Sequence, residues 1–286
     1  MEKNKNKKPS KYEELVSQVD PNILKNWKSI QNELKTKLIE TDDHTWTVNK
    51  DPSTDLKIIA GMDISASVKD PNYAVSALVV CDKDLKILYE QYQFVQITEP
   101  YVPGFLAFRE VNHLLSLLSD LKITNPEFYP EVILMDGNGI LHSNRFGIAS
   151  HLGVLLDVPT IGCGKTVFAV DGITKKSVRA ITDKFTHGGQ FEKLIGTSGA
   201  IWGAALRSTD DSKIPMIISQ GNKVTLDTAI EVVKMTTKHR VPEPIRLADK
   251  ISRRIVAEYE KRNFMPFFIE DWLEEHHNDL YSPLED

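Results

Sequence analysis

Four residues in this chain have the type and setting for metal or phosphate chemistry: Asp63, Glu110, Asp136 and Lys165. Asp136 closes the apolar run Val132-Ile133-Leu134-Met135, and Gly137 and Gly139 follow at once. An unbroken apolar run ended by turn residues predicts a strand buried on both faces. A carboxylate at the carboxyl end of such a strand is where open α/β sheets place their chemistry. Taken alone, Asp-Gly is also an ordinary way to begin a turn. Asp63 repeats the pattern after Ile58-Ile59-Ala60. Glu110 lies beside the apolar stripe of a predicted helix, where a solvated glutamate is the ordinary alternative. Lys165 stands in Gly162-Cys163-Gly164-Lys165-Thr166, after a further short strand. That segment is not a phosphate-binding P-loop, because the required first glycine is replaced by Pro159. A lysine there can meet a phosphate or a leaving group, or simply snorkel at the surface.

Carboxylates gathered from distant segments repel one another unless a cation lies between them. Mg²⁺ prefers oxygen ligands and binds through one or two carboxylates together with water and substrate phosphate. It polarises a phosphoryl oxygen and supplies hydroxide at neutral pH. No Cys/His group has zinc spacing. Asp63, Glu110 and Asp136 are therefore candidates for an oxygen-ligand Mg²⁺ site able to act on a phosphoryl group.

The elements that must position these residues can be laid out in order. Asp20-Pro21 predicts a helix start, with a stripe at Ile23, Trp27, Ile30, Leu34 and Leu38. Strands are expected at 57–63, 73–81 and 85–97, the last two joined by a tight Asp82-Lys83-Asp84 link. The segment 41–55 is polar and predicts a loop. Pro100-Tyr101-Val102-Pro103-Gly104 is rigid at its prolines and permissive at its glycine. It leads into a helix over 105–121, with Phe108, Val111, Leu114, Leu115 and Leu118 inward. After the Asp136 strand come a helix over 146–156 and a strand over 158–163. Loops around a short strand are expected over 171–199, paired edge strands at 200–207 and 214–219, and helices at 225–237 and 244–261. The last helix is rich in arginine (Arg246, Arg253, Arg254, Arg262), which predicts either a basic face for a phosphate backbone or a solvated charged face.

A length of 286 residues fits one large domain or two small ones. Hydrophobic residues at 41% and charged residues at 26% fit a soluble globular protein. The net charge of -5 argues against indiscriminate binding of nucleic acid through bulk charge, while leaving room for a local basic groove. Cys81 and Cys163 lie in apolar runs and are expected as buried free thiols in a reducing compartment. No apolar run approaches the ~18 residues of a membrane span, and the Lys/Asn-rich start does not resemble a secretory signal. The expected division is a disordered basic tail over 1–20, a folded domain over 21–262 and an acidic tail over 263–286.

Strand, strand, strand, helix, strand, helix, strand, with acids on the first strand, first helix and fourth strand, is the ribonuclease H-like arrangement. It implies an α/β fold whose mixed central sheet, three antiparallel strands then parallel ones, is flanked by helices. A closer resemblance rests on six stretches, in consistent order from about residue 23 to 262. They are Gly61-Met62-Asp63-Ile64-Ser65, the Pro100 to Glu110 stretch, Asp136-Gly137-Asn138-Gly139-Ile140-Leu141-His142, Gly147-Ile148-Ala149-Ser150-His151-Leu152-Gly153, Gly162-Cys163-Gly164-Lys165 and Val241-Pro242-Glu243-Pro244-Ile245-Arg246. These resemble the motifs of the endonuclease V family. The resemblance implies cleavage of inosine-containing nucleic acid at the second phosphodiester bond 3′ to inosine, with Mg²⁺ or Mn²⁺, leaving 3′-hydroxyl and 5′-phosphate ends.

By that resemblance Asp63 and Asp136 would bind the metal, Glu110 would complete the acidic site directly or through water, and Lys165 would contact the scissile phosphate or the leaving oxygen. Tyr101, in the wedge with Pro103 and Gly104, would stack beside the inosine. Gly104, Gly137 and Gly139 would let main chain line the pocket of an everted base, and His142 would lie near the phosphates. Where the family usually has Gly-His, with the histidine at the metal site, this chain has Gly221-Asn222. Asparagine hydrogen-bonds but does not titrate near neutrality, so a catalytic effect of Asn222 is an expectation to test.

The Asp171-Gly172 stretch, the Leu206-Arg207-Ser208 run and Phe128-Tyr129-Pro130 look more like the eukaryotic branch, which favours single-stranded inosine RNA. An RNA-cleaving enzyme is therefore expected. The alternatives are a deoxyinosine DNA-repair endonuclease and an inosine-RNA reader whose cleavage is weakened at Asn222. Expected partners are inosine-containing single-stranded RNA or DNA, with no membrane, for a monomer in the cytoplasm and nucleus or nucleolus.

Overall fold

The computed structural model describes residues 16–48 and 53–263. The expected tail beyond 263 and the first fifteen residues lie outside them. An eight-stranded sheet runs through the molecule in the order β3-β2-β1-β4-β5-β8-β7-β6. Its strands are β1 (Ile58–Ala66), β2 (Tyr73–Asp82), β3 (Ile87–Gln96), β4 (Val132–Asp136), β5 (Thr160–Gly164), β6 (Phe191–Ile195), β7 (Ile201–Leu206) and β8 (Met216–Asn222). β1, β2 and β3 form the expected antiparallel meander, and β4 pairs parallel with both β1 and β5. β8 returns antiparallel beside β5 and then pairs with β7. The expected edge pair at 200–219 is thus internal on one side, and the edge belongs to β6, which pairs with β7.

Helices cover both faces. Among the described residues six α-helices follow in chain order, α1 (Pro21–Lys35), α2 (Leu106–Thr124), α3 (Ile148–Leu156), α4 (Lys175–Thr182), α5 (Leu226–Met235) and α6 (Glu243–Lys261), with a short 3₁₀ turn at Pro126–Phe128. On one face α2 and α3 bury Val111, Leu114, Leu118, Ala149 and Leu152 against Ala60, Met62, Leu78 and Ile133. On the other face α6 packs Leu247, Ala248, Ile251 and Ile255 on Val75, Ala77 and Val79 of β2. α5 covers the β4, β5 and β8 part of that face. Val132 to Met135 are at most 1% exposed, so β4 is the doubly covered strand that its unbroken apolar run predicts.

Two departures have plain physical causes. α1 begins as expected, with Asp20 Oδ1 accepting from the Asn22 backbone N–H at 2.8 Å. Its buried residues, however, are Trp27, Gln31 and Leu34, while Ile23 is exposed, because the helix meets its neighbours along a stripe displaced from the most apolar one. Val19 is buried with Trp27 and Val102, so packing starts ahead of Pro21. The second departure is α4, which forms where loops are expected. A reciprocal cap between Thr174 and Ser177 closes its first turn, and Val178 anchors it.

Candidate active site

β1 and β4 run parallel with Gly61 opposite Leu134 and Met62 opposite Met135, which brings Asp63 and Asp136 to the same end of the sheet. A third carboxylate joins them from α6. Asp63, Asp136 and Asp249 each place an oxygen within 4.8 Å of the others. α6 reaches this position because Gly61 has no side chain: a Cβ there would stand 2.1 Å from the carbonyl carbon of Pro244. The helix start therefore lies directly on β1, and Asp249 and Ser252 arrive one and two turns later.

The carboxylates are held by hydrogen bonds. Asp63 Oδ2 accepts from Ser65 Oγ at 3.0 Å and from Ser252 Oγ at 2.9 Å. The Lys165 ammonium lies 2.7 Å from Asp136 Oδ2 and 2.8 Å from Asp249 Oδ1. Arg253 adds a contact of 3.0 Å to Asp249. These groups open into a cleft of about 580 Å³ between β1, Lys165 and α6. Burial, then the Asp136 and Asp249 charges, push the Asp63 carboxyl upward, with Lys165 and Ser252 opposing. For Lys165, burial works against the charge, but Asp136 and Asp249 outweigh it and hold its pKa above the ordinary lysine value. Three acids against Lys165 and Arg253 leave an excess of negative charge, the electrostatic state expected of a site for a further cation.

Each residue singled out in the sequence can now be placed. Glu110 sits in the second turn of α2, where burial, followed by the Asp63 charge, pushes it up to about 8. It feels Asp63 and Asp136 but stands outside the group of three, whose place is taken by Asp249. Lys165 is between Asp136 and Asp249. Tyr101 is 51% exposed, Pro103 and Gly104 share its loop, and Gly104 has the positive φ of 85° that favours glycine. Gly137 and Gly139 flank Asn138 over β8; a Cβ on Gly139 would meet the Gln220 carbonyl oxygen at 2.0 Å. His142 is buried with its ring 5.1 Å from that of Phe168, and burial lowers its pKa to about 4. It is an uncharged ring at neutral pH, contacting Phe168 and Asn144.

Asn222 does not join the acidic group. It pairs in register with Thr160, three residues before the Cys163 that lies opposite Asp136. That spacing is ~10 Å along the strands. Its Nδ2 donates to the carbonyls of Gly153 at 3.0 Å and Val158 at 3.2 Å, and its Oδ1 accepts from the Ile39 N–H at 3.1 Å. The expectation of a residue beside the metal is corrected to one that joins β8, α3 and the chain ahead of β1.

Asp249 and Ser252 went unnoticed in the sequence, where Ser65 figured only inside its motif and Arg253 only among the arginines of the last helix. Asp249 and Ser252 are three apart on a helix whose inward residues are Leu247, Ala248, Ile251 and Ile255, so both border the buried stripe. That was the available signal, masked by the neighbouring charges. The basic face expected on this helix is largely internally paired: Arg246 with Glu243 at 2.7 Å, Arg253 with Asp249 and Arg262 with Glu258 at 2.8 Å.

The donors fit a hard divalent cation. Asp63, Asp136 and Asp249 present oxygen only, and no cysteine or histidine stands in that group among the described residues, which suits Mg²⁺ or Mn²⁺ rather than zinc. No helix among the described residues is long and apolar enough to cross a membrane.

Comparison with known proteins identifies the family. A family model of endonuclease V matches residues 37–250. Human endonuclease V is 40% identical over 234 residues, 79% of this chain and 81% of the human one. The crystal structure of the catalytic domain of human endonuclease V aligns with a TM-score of 0.81 and 37% identity, covering 86% of this chain and 100% of that one. Endonuclease V of Ciona intestinalis, in complex with a 23-mer DNA containing an inosine followed by a ribo-adenosine, aligns with a TM-score of 0.76 and 33% identity, covering 84% and 99%. A likeness of this extent over most of both chains is one of descent: this chain belongs to the endonuclease V family and is a nuclease that hydrolyses phosphodiester bonds.

Proposed function

We propose that this nuclease cleaves single strands containing inosine, RNA in preference to DNA, at the second phosphodiester bond 3′ to the inosine. The observation that carries the reading is the convergence of Asp63, Asp136 and Asp249 around Lys165 at the mouth of one cleft. The Ciona relative supports inosine as the recognised base. In that complex the residue after inosine is a ribo-adenosine, and the second bond lies on its 3′ side. A ribose there offers a 2′-hydroxyl, the group by which a protein tells RNA from DNA.

Asp63, Asp136 and Asp249 would hold Mg²⁺, or Mn²⁺ in its place. When bound, the ion polarises the phosphoryl oxygen and lowers the pKa of water. The chain's own residues supply the rest. Ser65 and Ser252 fix the Asp63 carboxylate, so its free oxygen faces the cleft in a set orientation. Lys165 donates to Asp136 and Asp249 and is placed to donate to a non-bridging phosphate oxygen or to the departing 3′ oxygen. Glu110, buried and close enough to feel the Asp63 charge, would complete the acidic site directly or through water. Tyr101 would stack against the strand next to the inosine, and the glycine-lined loop at Gly137 and Gly139, with neutral His142, would wall the pocket of the everted base. Free, buried Cys81 and Cys163 support work in a reducing compartment, and the proposal takes the enzyme to act as a monomer in the cytoplasm and nucleus or nucleolus.

The test compares matched 5′-labelled RNA and DNA single strands carrying one inosine or one adenosine, in Mg²⁺, with product ends mapped. Inosine-dependent scission at the second bond, faster in RNA, is the expected result. Equal cutting of inosine and adenosine strands would overturn the base assignment, and faster cutting of DNA would overturn the preference for RNA.

A further inference from the structure

Beyond the cleft, on the far side of Lys165, lies a second groove of about 570 Å³ between α4 and the loop that precedes β8. Its apolar lining includes Val167, Val178, Pro215 and Ile217, and Ile214 stands at its rim 58% exposed. The polar lining is strongly basic: Lys165, Lys175, Arg179, Lys213 and Arg240 against one carboxylate, Asp183. Asp183 is already paired with Arg179 at 3.7 Å. In a chain with a net charge of -5 this is a local reversal of sign. Lys175 and Lys213 make no ion pair among the described residues.

Arg240 ties this groove to the acidic cleft. Its Nη2 donates to the main-chain carbonyl of Lys165 at 2.6 Å, and its Nε donates to the carbonyl of Ile214 at 3.2 Å. The loop bearing Ile214 is thereby held in register with the residue whose ammonium lies between Asp136 and Asp249. An apolar wall rimmed by cations, continuous with a phosphodiesterase centre, matches one chemistry. A base stacks on apolar surface whatever its identity, and lysines neutralise backbone phosphate. The volume falls in the range of ligand pockets.

We propose that this groove is a second subsite for the substrate strand. It takes a nucleotide flanking the scissile bond, with the base against Ile214 and Pro215 and the phosphate between Lys175 and Lys213. The proposal rests on the nuclease reading above.

The experiment uses the full chain, single-stranded inosine oligonucleotides and Ca²⁺ to slow chemistry. Affinity is measured over a range of salt for strands of about 20 nucleotides and for strands trimmed stepwise from either end. Lys175→Ala with Lys213→Ala should weaken the long strand about tenfold and reduce the salt slope by about two, one for each phosphate-contacting lysine. Ile214→Ala should weaken it about fivefold with the slope unchanged, since stacking is not ionic. Both losses should vanish on strands trimmed from the side that fills the groove. These side chains are exposed, and thermal melting checks that the variants remain folded. Variants that bind every strand with wild-type affinity and slope, while the wild type binds and cuts inosine strands normally, overturn the subsite alone. A wild-type chain that neither binds nor cuts any inosine strand overturns the nuclease reading, and the subsite with it.

Discussion

Ser252 Oγ donates to Asp63 Oδ2 at 2.9 Å, a contact that spans 189 residues of sequence and fastens α6 to β1 at the acidic cleft. Ser65 Oγ donates to the same oxygen and lies 2.7 Å from Ser252 Oγ, so the carboxylate is gripped from its own strand and from the helix. A hydrogen bond to a charged group contributes ~1.5–3 kcal/mol. Ser252→Ala leaves Ser65 in place, so the lower figure applies, and single-turnover cleavage should fall about tenfold. The half-saturating Mg²⁺ concentration should rise with it. Unaltered rate and metal dependence would show that Ser65 alone orients Asp63.

Tyr101 and Val102 are neighbours with opposite surroundings. Tyr101 is 51% exposed, while Val102 is 1% exposed and packs with Val19 and Trp27. Tyr101→Ala should weaken binding of an inosine strand by ~1–3 kcal/mol with its melting temperature unchanged. Val102→Ala should cost ~1–3 kcal/mol of stability through the cavity it leaves. Paired titration and melting experiments on the two variants check both, and a reversed pattern would put the tyrosine in the core.

Much of the site was legible because a charge interrupts an apolar run, at the end of β4 for Asp136 and within β1, which continues to Ala66, for Asp63. Runs of that kind must lie inside a sheet. Asp249 was not legible for the complementary reason. On an amphipathic helix a charge beside the buried stripe looks the same whether it meets solvent or a partner, and only the docking of α6 at Gly61 decides. Strand order was equally hidden: nothing local in 214–219 specifies β5 as a neighbour, because pairing depends on what the intervening chain leaves available. α4 is a case where a signal existed, since Thr174 and Ser177 form its cap, but one buried valine makes a weak periodicity.

Asn222 shows how a motif can mislead about place. Its Gly-Asn setting suggested a residue beside the metal, whereas three hydrogen bonds to Gly153, Val158 and Ile39 assign it to the opposite end of the strands. A histidine cannot reproduce that pattern of two donors and one acceptor. Asn222→His should therefore lower stability by ~2–4 kcal/mol, by leaving buried groups unpaired, and should not accelerate cleavage. Urea unfolding together with single-turnover rates decides: a faster enzyme of unchanged stability would restore the catalytic role.

His151 gives a dependence of stability on pH. It is buried between Phe108 and Phe146, with ring centroids 5.0 and 5.6 Å away, and burial lowers its pKa to about 4 from 6.5. Between those values the unfolded chain binds the proton and the folded chain does not, so this residue's stabilisation is full above pH 6.5 and is lost as pH falls towards 4. The span corresponds to on the order of 3 kcal/mol. Asp63 and Glu110, raised by burial, act with the opposite sign. The histidine is isolated by subtracting the urea stability curve of His151→Gln from that of the parent. The difference should grow with pH from 4 to 6.5 and then level off; a flat difference would contradict the buried neutral ring.

On the proposed function, Asp63, Asp136 and Asp249 together hold the ion on which cleavage depends. Asp249→Asn keeps the shape of the side chain and its contact with Lys165 while removing the charge. The most direct measurement is single-turnover cleavage of an inosine RNA across a Mg²⁺ titration, for the parent and for Asp249→Asn, with melting curves to confirm folding. A metal ion's electrostatic contribution of several kcal/mol predicts a fall of about a thousandfold or more, not recovered at high Mg²⁺. A folded Asp249→Asn chain that cuts at the parental rate with the parental Mg²⁺ midpoint would contradict the account.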